Sequence, residues 1–196
     1  TLFDDAVDRF PQRPCLDFLG RLYSYAELDQ LINRATSGFQ RLGVQSGTKV
    51  GLFLPNCPQF VICYYAILKA GGTIVNYSPL YSESELLQQI EDSQTDFMVT
   101  LNLMSLYPKA QAMLEQSRLK LLVVGTMSEV LPFPKNWLFP MVKHRDLVRI
   151  PNDCSHVSFK DVLNNDGTYE SITVEPEQDV AVLQYTGGTT GVPKGA

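Results

Sequence analysis

The sequence predicts an α/β protein with a mostly parallel sheet covered by helices on both faces, preceded by a small helix and hairpin. Short apolar runs alternate with segments of helical periodicity from residue 49 onward. Capping patterns and glycines mark where the helices start and stop. The 44% hydrophobic and 19% charged residues are typical of a globular protein. Strands that alternate with helices pair in parallel through right-handed crossovers.

Residues 1–48 predict the helix and hairpin that precede the sheet. An apolar residue recurs at helical spacing from Leu2 to Phe10, and Pro11 ends that helix. Two short apolar runs flank Gly20-Arg21, which is typical of a hairpin. Ser24 and Glu27 form a capping-box pattern, so a second helix begins there and ends at Gly43.

Residues 49–125 predict repeated βαβ units. The apolar runs are 50–54, 73–76, 97–100 and 121–124. Polar caps predict the starts of the intervening helices at Asn56, Ser82 and Asn102, the last helix running to about Glu115. Residues 179–196 add a strand, 180–184, and a glycine-rich loop.

Residues 126–178 interrupt this alternation and are interpreted as an insertion and linker. Four prolines lie between 126 and 153, which argues against one continuous amphipathic helix. Residues 131–150 combine aromatic side chains with four basic residues and a single acid, Asp146. This composition fits an insertion packed on the sheet, the favoured interpretation, and also a segment that lies on a membrane surface.

The charge and the cysteines exclude several classes of function. The formal charge is −5; residues 1–150 hold equal numbers of basic and acidic residues, and 151–196 hold two against seven. Without a basic stripe, nucleic-acid binding is not expected. Four cysteines without a CxxC pair and two histidines predict neither a zinc site nor a disulfide framework. We expect a cytoplasmic protein; a peripheral position at the inner membrane face stays open.

The most informative segment is the loop Tyr-Thr-Gly-Gly-Thr-Thr-Gly-Val-Pro-Lys-Gly-Ala, residues 185–196. Its glycines allow backbone N–H groups to converge on an anion, and its threonines and lysine add donors and charge. The Walker pattern fails because Pro193 precedes Lys194 and Gly195 follows it. The Rossmann spacing fails too, so the loop predicts a polyphosphate site of another kind.

This order of residues resembles the signature loop of the adenylate-forming enzymes, the superfamily of acyl-CoA synthetases, luciferases and adenylation domains. Upstream segments, among them 49–56 and 68–76, are similar as well. The run Asn-Tyr-Ser-Pro-Leu-Tyr at 76–81 is similar to a segment of bacterial long-chain fatty-acid CoA ligases, with Ser78 where that branch usually has Asn. The resemblance implies an incomplete part of the large N-terminal domain of such an enzyme.

The resemblance implies activation of a fatty acid by ATP to acyl-AMP, followed by transfer to coenzyme A, with Mg2+ bound in the full-length enzyme. It assigns the nucleotide site to Tyr185, Thr186, Gly187, Gly188, Thr189, Thr190, Gly191, Val192, Pro193, Lys194 and Gly195. The motifs for adenine, magnesium and ribose, the hinge and the catalytic lysine would all follow Ala196. No catalytic or metal-ligating residue is therefore assigned, and the chain alone is expected to be inactive.

Three alternatives stay open. The carboxylate could differ, or the acceptor could be a carrier protein. The chain could be a non-catalytic module that binds a membrane or a partner through residues 131–150. A second copy of the chain could cover faces of the sheet that a longer parent would bury, giving a homodimer.

Overall fold

A computed structural model describes residues 2–186 and 194–195. The lead-in folds as predicted: α1 Leu2–Arg9, a hairpin of β1 Pro14–Phe18 and β2 Arg21–Ser24, and α2 Tyr25–Arg41. Ser24 and Glu27 form the predicted capping box at the start of α2. Gly43 follows that helix with φ +94°, a conformation that glycine adopts without steric cost.

The central sheet has six parallel strands in the order β7-β6-β5-β3-β4-β8. The strands are β3 Lys49–Leu52, β4 Thr73–Asn76, β5 Phe97–Leu101, β6 Leu121–Gly125, β7 His156–Ser158 and β8 Val182–Thr186. A short β9, Lys194–Gly195, pairs antiparallel with β8. The predicted α/β class with a mostly parallel sheet is confirmed.

Helices cover both faces of the sheet. They are α3 Pro58–Lys69, α4 Glu83–Ser93, α5 Tyr107–Gln116 and α7 Phe159–Val162; a further helix, α6 Lys135–Val142, has no buried residue. Helix α2 packs on α3 and α7, and α4 packs on α5. The helices bury apolar side chains such as Phe39, Ile62 and Ile90 against the strands, and this burial removes apolar surface from water.

Two predicted helix caps are wrong. Helix α3 has Cys57, not Asn56, at its N-cap, because Pro58 takes the first helical position. Helix α5 begins at Tyr107, five residues after Asn102. The backbone N–H of Asn102 instead donates to Gly125 O (3.0 Å), and its carbonyl accepts from the N–H of Val148 (2.9 Å).

Residues 126–178 carry more structure than the sequence predicted. They supply the edge strand β7, the short α7 and the eight-residue α6, which contains Pro140. Strand β8 also begins two residues later than predicted. The chain ahead of β8 is already tied to β4, because Thr73 Oγ1 donates to Val180 O (2.8 Å) and Ile74 N donates to Ala181 O (3.0 Å).

Candidate nucleotide-binding site

The predicted phosphate loop leaves the sheet at the carboxyl end of β8. Strand β8 pairs with β4 in parallel, with Ile74 opposite Val182 and Asn76 opposite Gln184. The side-chain amide of Asn76 donates to Gln184 Oε1 at 3.0 Å, which joins the two strands at their last paired position. Ligands of open α/β sheets bind outside the carboxyl ends of the strands, so the loop begins at the expected edge.

Strand β9 joins the two ends of the loop. Thr186 pairs with Lys194, and Tyr185 pairs with Gly195. A Cβ on Gly195 would lie 3.3 Å from Cζ of Tyr185, so a glycine here lets the strand lie against the phenol ring. The predicted site residues Gly187, Gly188, Thr189, Thr190, Gly191, Val192 and Pro193 lie outside the described residues. Thr186 and Lys194 are described by their backbone alone.

Tyr185 anchors the strand that enters the loop. Its ring is buried, with 4% of its surface exposed, and its hydroxyl donates to Oδ2 of Asp92 at 2.5 Å. Burial and the neighbouring Asp92 carboxylate raise the pKa of this phenol, because both disfavour the phenolate. The hydroxyl already has an acceptor, so the structure gives Tyr185 a positioning contact in addition to the nucleotide contact that the sequence predicts.

A second buried tyrosine, Tyr77, follows β4 and extends from the carboxyl end of that strand toward the residues between α4 and β5. The hydroxyl of Tyr77 lies 2.7 Å from Thr95 Oγ1 and 3.0 Å from Ser93 Oγ, and those two oxygens lie 2.8 Å apart. Burial raises the pKa of Tyr77 to about 12. Its ring lies against Gly51 of β3, where a Cβ would come within 2.5 Å of Tyr77 Cε2. Only a residue without a side chain fits there.

The turn after β4 is held at the same edge. Tyr81 N donates to Ser78 O (3.0 Å), and Lys109 Nζ donates to Tyr81 O (2.6 Å). Leu80, between them, is 90% exposed. The lysine belongs to α5, so this hydrogen bond ties the turn to that helix.

Sequence reasoning missed Asp92 and the hydroxyl pair of Ser93 and Thr95. They lie at the end of α4 and just after it, and no local pattern marks them. Their partners Tyr77 and Tyr185 are 16 to 93 residues away, so the contacts become visible only in the folded chain. Within residues 2–186 and 194–195, no group of three or more His, Cys, Asp or Glu side chains is arranged to hold a metal ion.

The profile of the family described as "AMP-binding enzyme" matches residues 3–196, which is nearly the whole chain. The chain belongs to the AMP-binding enzyme family. It is 37% identical over 199 residues to a long-chain-fatty-acid–CoA ligase of Bacillus subtilis, and 34% identical over 202 residues to one of Haemophilus influenzae. All of this chain is covered in both cases, but it spans only 35% of the length of each relative.

Solved structures of AMP-binding enzymes share the fold. A long-chain-fatty-acid–CoA ligase from Archaeoglobus fulgidus matches 98% of this chain with a TM-score of 0.74 and 25% identity. The anthranilate–CoA ligase AuaEII, solved with anthranoyl-AMP, matches 99% with a TM-score of 0.79 and 19% identity. The chain covers 35% and 33% of those two proteins. The match to the first third of such enzymes agrees with the predicted part of their large N-terminal domain.

Proposed function

We propose that this chain is the phosphate-binding part of a long-chain fatty-acid–CoA ligase. The observation that carries the proposal is the position of the Thr-Gly-Gly-Thr-Thr-Gly-Val-Pro-Lys-Gly loop. It starts at the carboxyl end of β8, the outermost of the six parallel strands, its two ends are paired, and the whole chain is similar to bacterial fatty-acid ligases.

In the proposed reaction, a carboxylate oxygen of the fatty acid attacks the α-phosphorus of ATP. A new O–P bond forms, the bond to the β-phosphate breaks, and pyrophosphate leaves. The thiol of coenzyme A then loses its proton and attacks the acyl carbon, and AMP leaves. Backbone N–H groups of the loop and the Lys194 ammonium would hold the departing β- and γ-phosphates and offset their charge.

Magnesium would neutralise phosphate charge when ATP is bound. The resemblance implies that the acidic residue that would hold this magnesium follows Ala196. The chain's own contribution is the loop and its base. Two sets of hydrogen bonds would fix the strand ends so that the loop donors keep their positions. They join Tyr185 to Asp92, and Tyr77 to Ser93 and Thr95.

The test is fatty-acid-dependent ATP–pyrophosphate exchange, measured on the longer protein that contains this chain. We expect exchange with long-chain fatty acids, and a loss on the order of a hundredfold in the Lys194→Ala variant, because a preorganised charge on the phosphates is removed. The matched control is Lys160→Ala, an exposed lysine on α7. We expect Tyr185→Phe to lower exchange less than Lys194→Ala, because it loosens the base and leaves the loop donors in place.

The same exchange assay with a panel of carboxylates tests whether the substrate is a carboxylate other than a fatty acid. A 4-coumarate–CoA ligase of Arabidopsis thaliana is 27% identical to this chain, so aryl acids belong in the panel. If only aryl acids support exchange, the substrate is an aryl acid and the proposed fatty acid is wrong. If the acyl group is transferred to a carrier protein and not to coenzyme A, the proposed acceptor is wrong. We expect no exchange by residues 1–196 alone, and robust acyl-AMP formation by that piece would contradict this expectation.

A further inference from the structure

The surface around α6 exposes large apolar side chains. We call it the α6 surface. It consists of Phe133 (84% exposed), Trp137 (66%), Leu138 (41%), Met141 (62%) and Val142 (72%), together with Leu19 (56%) at the tip of the β1–β2 hairpin. Scattered single apolar residues are common on protein surfaces, but a contiguous group marks an interaction site.

The α6 surface is built on a fixed base. Before α6, Leu131 is buried, and Arg21 Nη1 donates to Glu129 O at 2.8 Å. At the helix, Lys135 Nζ donates to the carbonyl of Leu19 at 2.8 Å, which brings the hairpin tip beside α6. The apolar side chains therefore point outward from an anchored segment.

The segment after α6 is tied to β5. Met104 N donates to Asp146 O, and Val148 N donates to Asn102 O, both at 2.9 Å. Leu103 and Leu147 form an isolated antiparallel bridge between these contacts. The α6 surface thus lies at the carboxyl edge of β5 and β6, the same edge as the phosphate loop.

The charge around the apolar group is positive. Residues 131–150 hold four basic residues, Lys135, Lys143, Arg145 and Arg149, and one acid, so the segment carries +3 while the whole chain carries −5. All four basic residues are exposed. The acid, Asp146, forms an ion pair with Lys143 at 3.1 Å. Among the described residues, no carboxylate forms an ion pair with Lys135, Arg145 or Arg149.

We propose that the α6 surface docks on an anionic lipid bilayer. Tryptophan and phenylalanine suit the boundary between head groups and acyl chains, and lysine and arginine suit the lipid phosphates. Charge complementarity selects this occupant, because a purely apolar partner would leave the basic rim unused. No helix in the described part of the chain is long and apolar enough to cross a membrane, and the proposal requires none, because the α6 surface lies on the bilayer.

The first test is sedimentation of the longer protein containing this chain with vesicles of phosphatidylglycerol and phosphatidylcholine, against phosphatidylcholine alone. We expect binding to the anionic vesicles that weakens as salt is added. The triple variant Lys143→Gln, Arg145→Gln, Arg149→Gln is expected to bind about a hundredfold more weakly, since each basic residue near the surface contributes about fivefold.

The matched control removes the same charge from the opposite edge of the sheet. Arg41 lies at the end of α2 before β3, and Arg118 and Lys120 pair with Asp96 just before β5. Arg41→Gln, Arg118→Gln, Lys120→Gln should bind the vesicles as the unaltered protein does. Equal loss in both triple variants would show a response to net charge alone and would overturn the proposal.

Trp137 provides a readout confined to the α6 surface. It is the single tryptophan of these 196 residues. The fluorescence difference between the protein and its Trp137→Phe variant reports this side chain whatever else the longer protein contains. We expect a blue shift and quenching by brominated acyl chains when anionic vesicles are added. No vesicle binding, or binding without a change at Trp137, overturns the proposal; in the second case another protein segment covers this face.

Discussion

The carboxyl edge of the sheet is built in two different ways. At β4 and β8, where the predicted phosphate loop begins, it carries Tyr77 and Tyr185, whose buried phenols extend to hydroxyl or carboxylate partners at or just after the end of α4. At β5 and β6 it carries the α6 surface, where aromatic side chains face solvent above a hydrogen-bonded base. The centres of these two strand pairs are three strand-to-strand steps apart in the sheet, which is about 14 Å.

This difference fits the two functions that we propose for these regions, phosphate binding and bilayer contact. In the proposed site, the loop donors would hold a phosphate within a fraction of an ångström, and the buried Tyr77 and Tyr185 contacts would keep their base in place. In the proposed bilayer contact, the apolar side chains of the α6 surface would need only to be exposed. We therefore expect substitutions under the loop to cost stability, and substitutions on the α6 surface to cost little.

The largest effect is expected at Gly51, where β3 meets the ring of Tyr77. In Gly51→Ala the new methyl would overlap Tyr77 Cε2 and also approach Thr95 Cγ2, at 3.3 Å. Ring and strand are both buried, so the overlap costs about 3 kcal/mol of unfolding free energy, measured by urea denaturation. In the control Gly125→Ala the nearest atom is the end of the Leu101 side chain at 3.2 Å, which can move. Equal losses would contradict the tight contact.

A feature of the fold could be predicted from the sequence when the residues in contact are close together along the chain. The start of α4 was predictable because both partners are local: Ser82 Oγ accepts from Glu85 N (3.4 Å), and Ser82 N donates to Glu85 Oε2 (2.8 Å). The end of the same helix was not. Gln94 adopts φ 57° there, a left-handed conformation that the sequence would assign to glycine or asparagine.

The site shows the same limit. The loop could be recognised from an unbroken run of residues, and its place after a strand followed from apolar patterning. The Tyr185–Asp92 contact joins positions 93 residues apart, so neither residue indicates the other until β4, α4 and β8 are assembled. Helix α6 and strand β7 could not be predicted within residues 126–178, because the prolines and short apolar runs there show neither the helical nor the alternating spacing of apolar residues.

The next effect is a loss of stability in alkali. The pKa of Tyr77 is raised from 10 to about 12, so the folded state favours the neutral phenol. The corresponding stability, about 2–3 kcal/mol, is fully present below pH 10 and is lost as the pH rises through about 12. Tyr185 adds in the same direction, because its pKa is also raised.

Urea unfolding at a series of alkaline pH values measures this loss. Tyr77→Phe should have a shallower decline than the unaltered protein, because it has no phenol to ionise at that position. The control Tyr64→Phe, whose half-buried ring packs on Phe60, should keep the full decline. If Tyr77→Phe declines as steeply as the unaltered protein, the neutral Tyr77 hydroxyl does not stabilise the base.

The smallest effect is expected on the α6 surface. Phe133→Ala removes an aromatic ring that is 84% exposed, so the free energy of unfolding should change by no more than about 0.5 kcal/mol. Two residues earlier, Leu131→Ala removes a side chain that is 4% exposed and should cost about 2–3 kcal/mol. Denaturation of both variants separates the base of the segment from its outer face. If Phe133→Ala costs as much as Leu131→Ala, the face is packed against protein in the folded molecule and is closed to a bilayer.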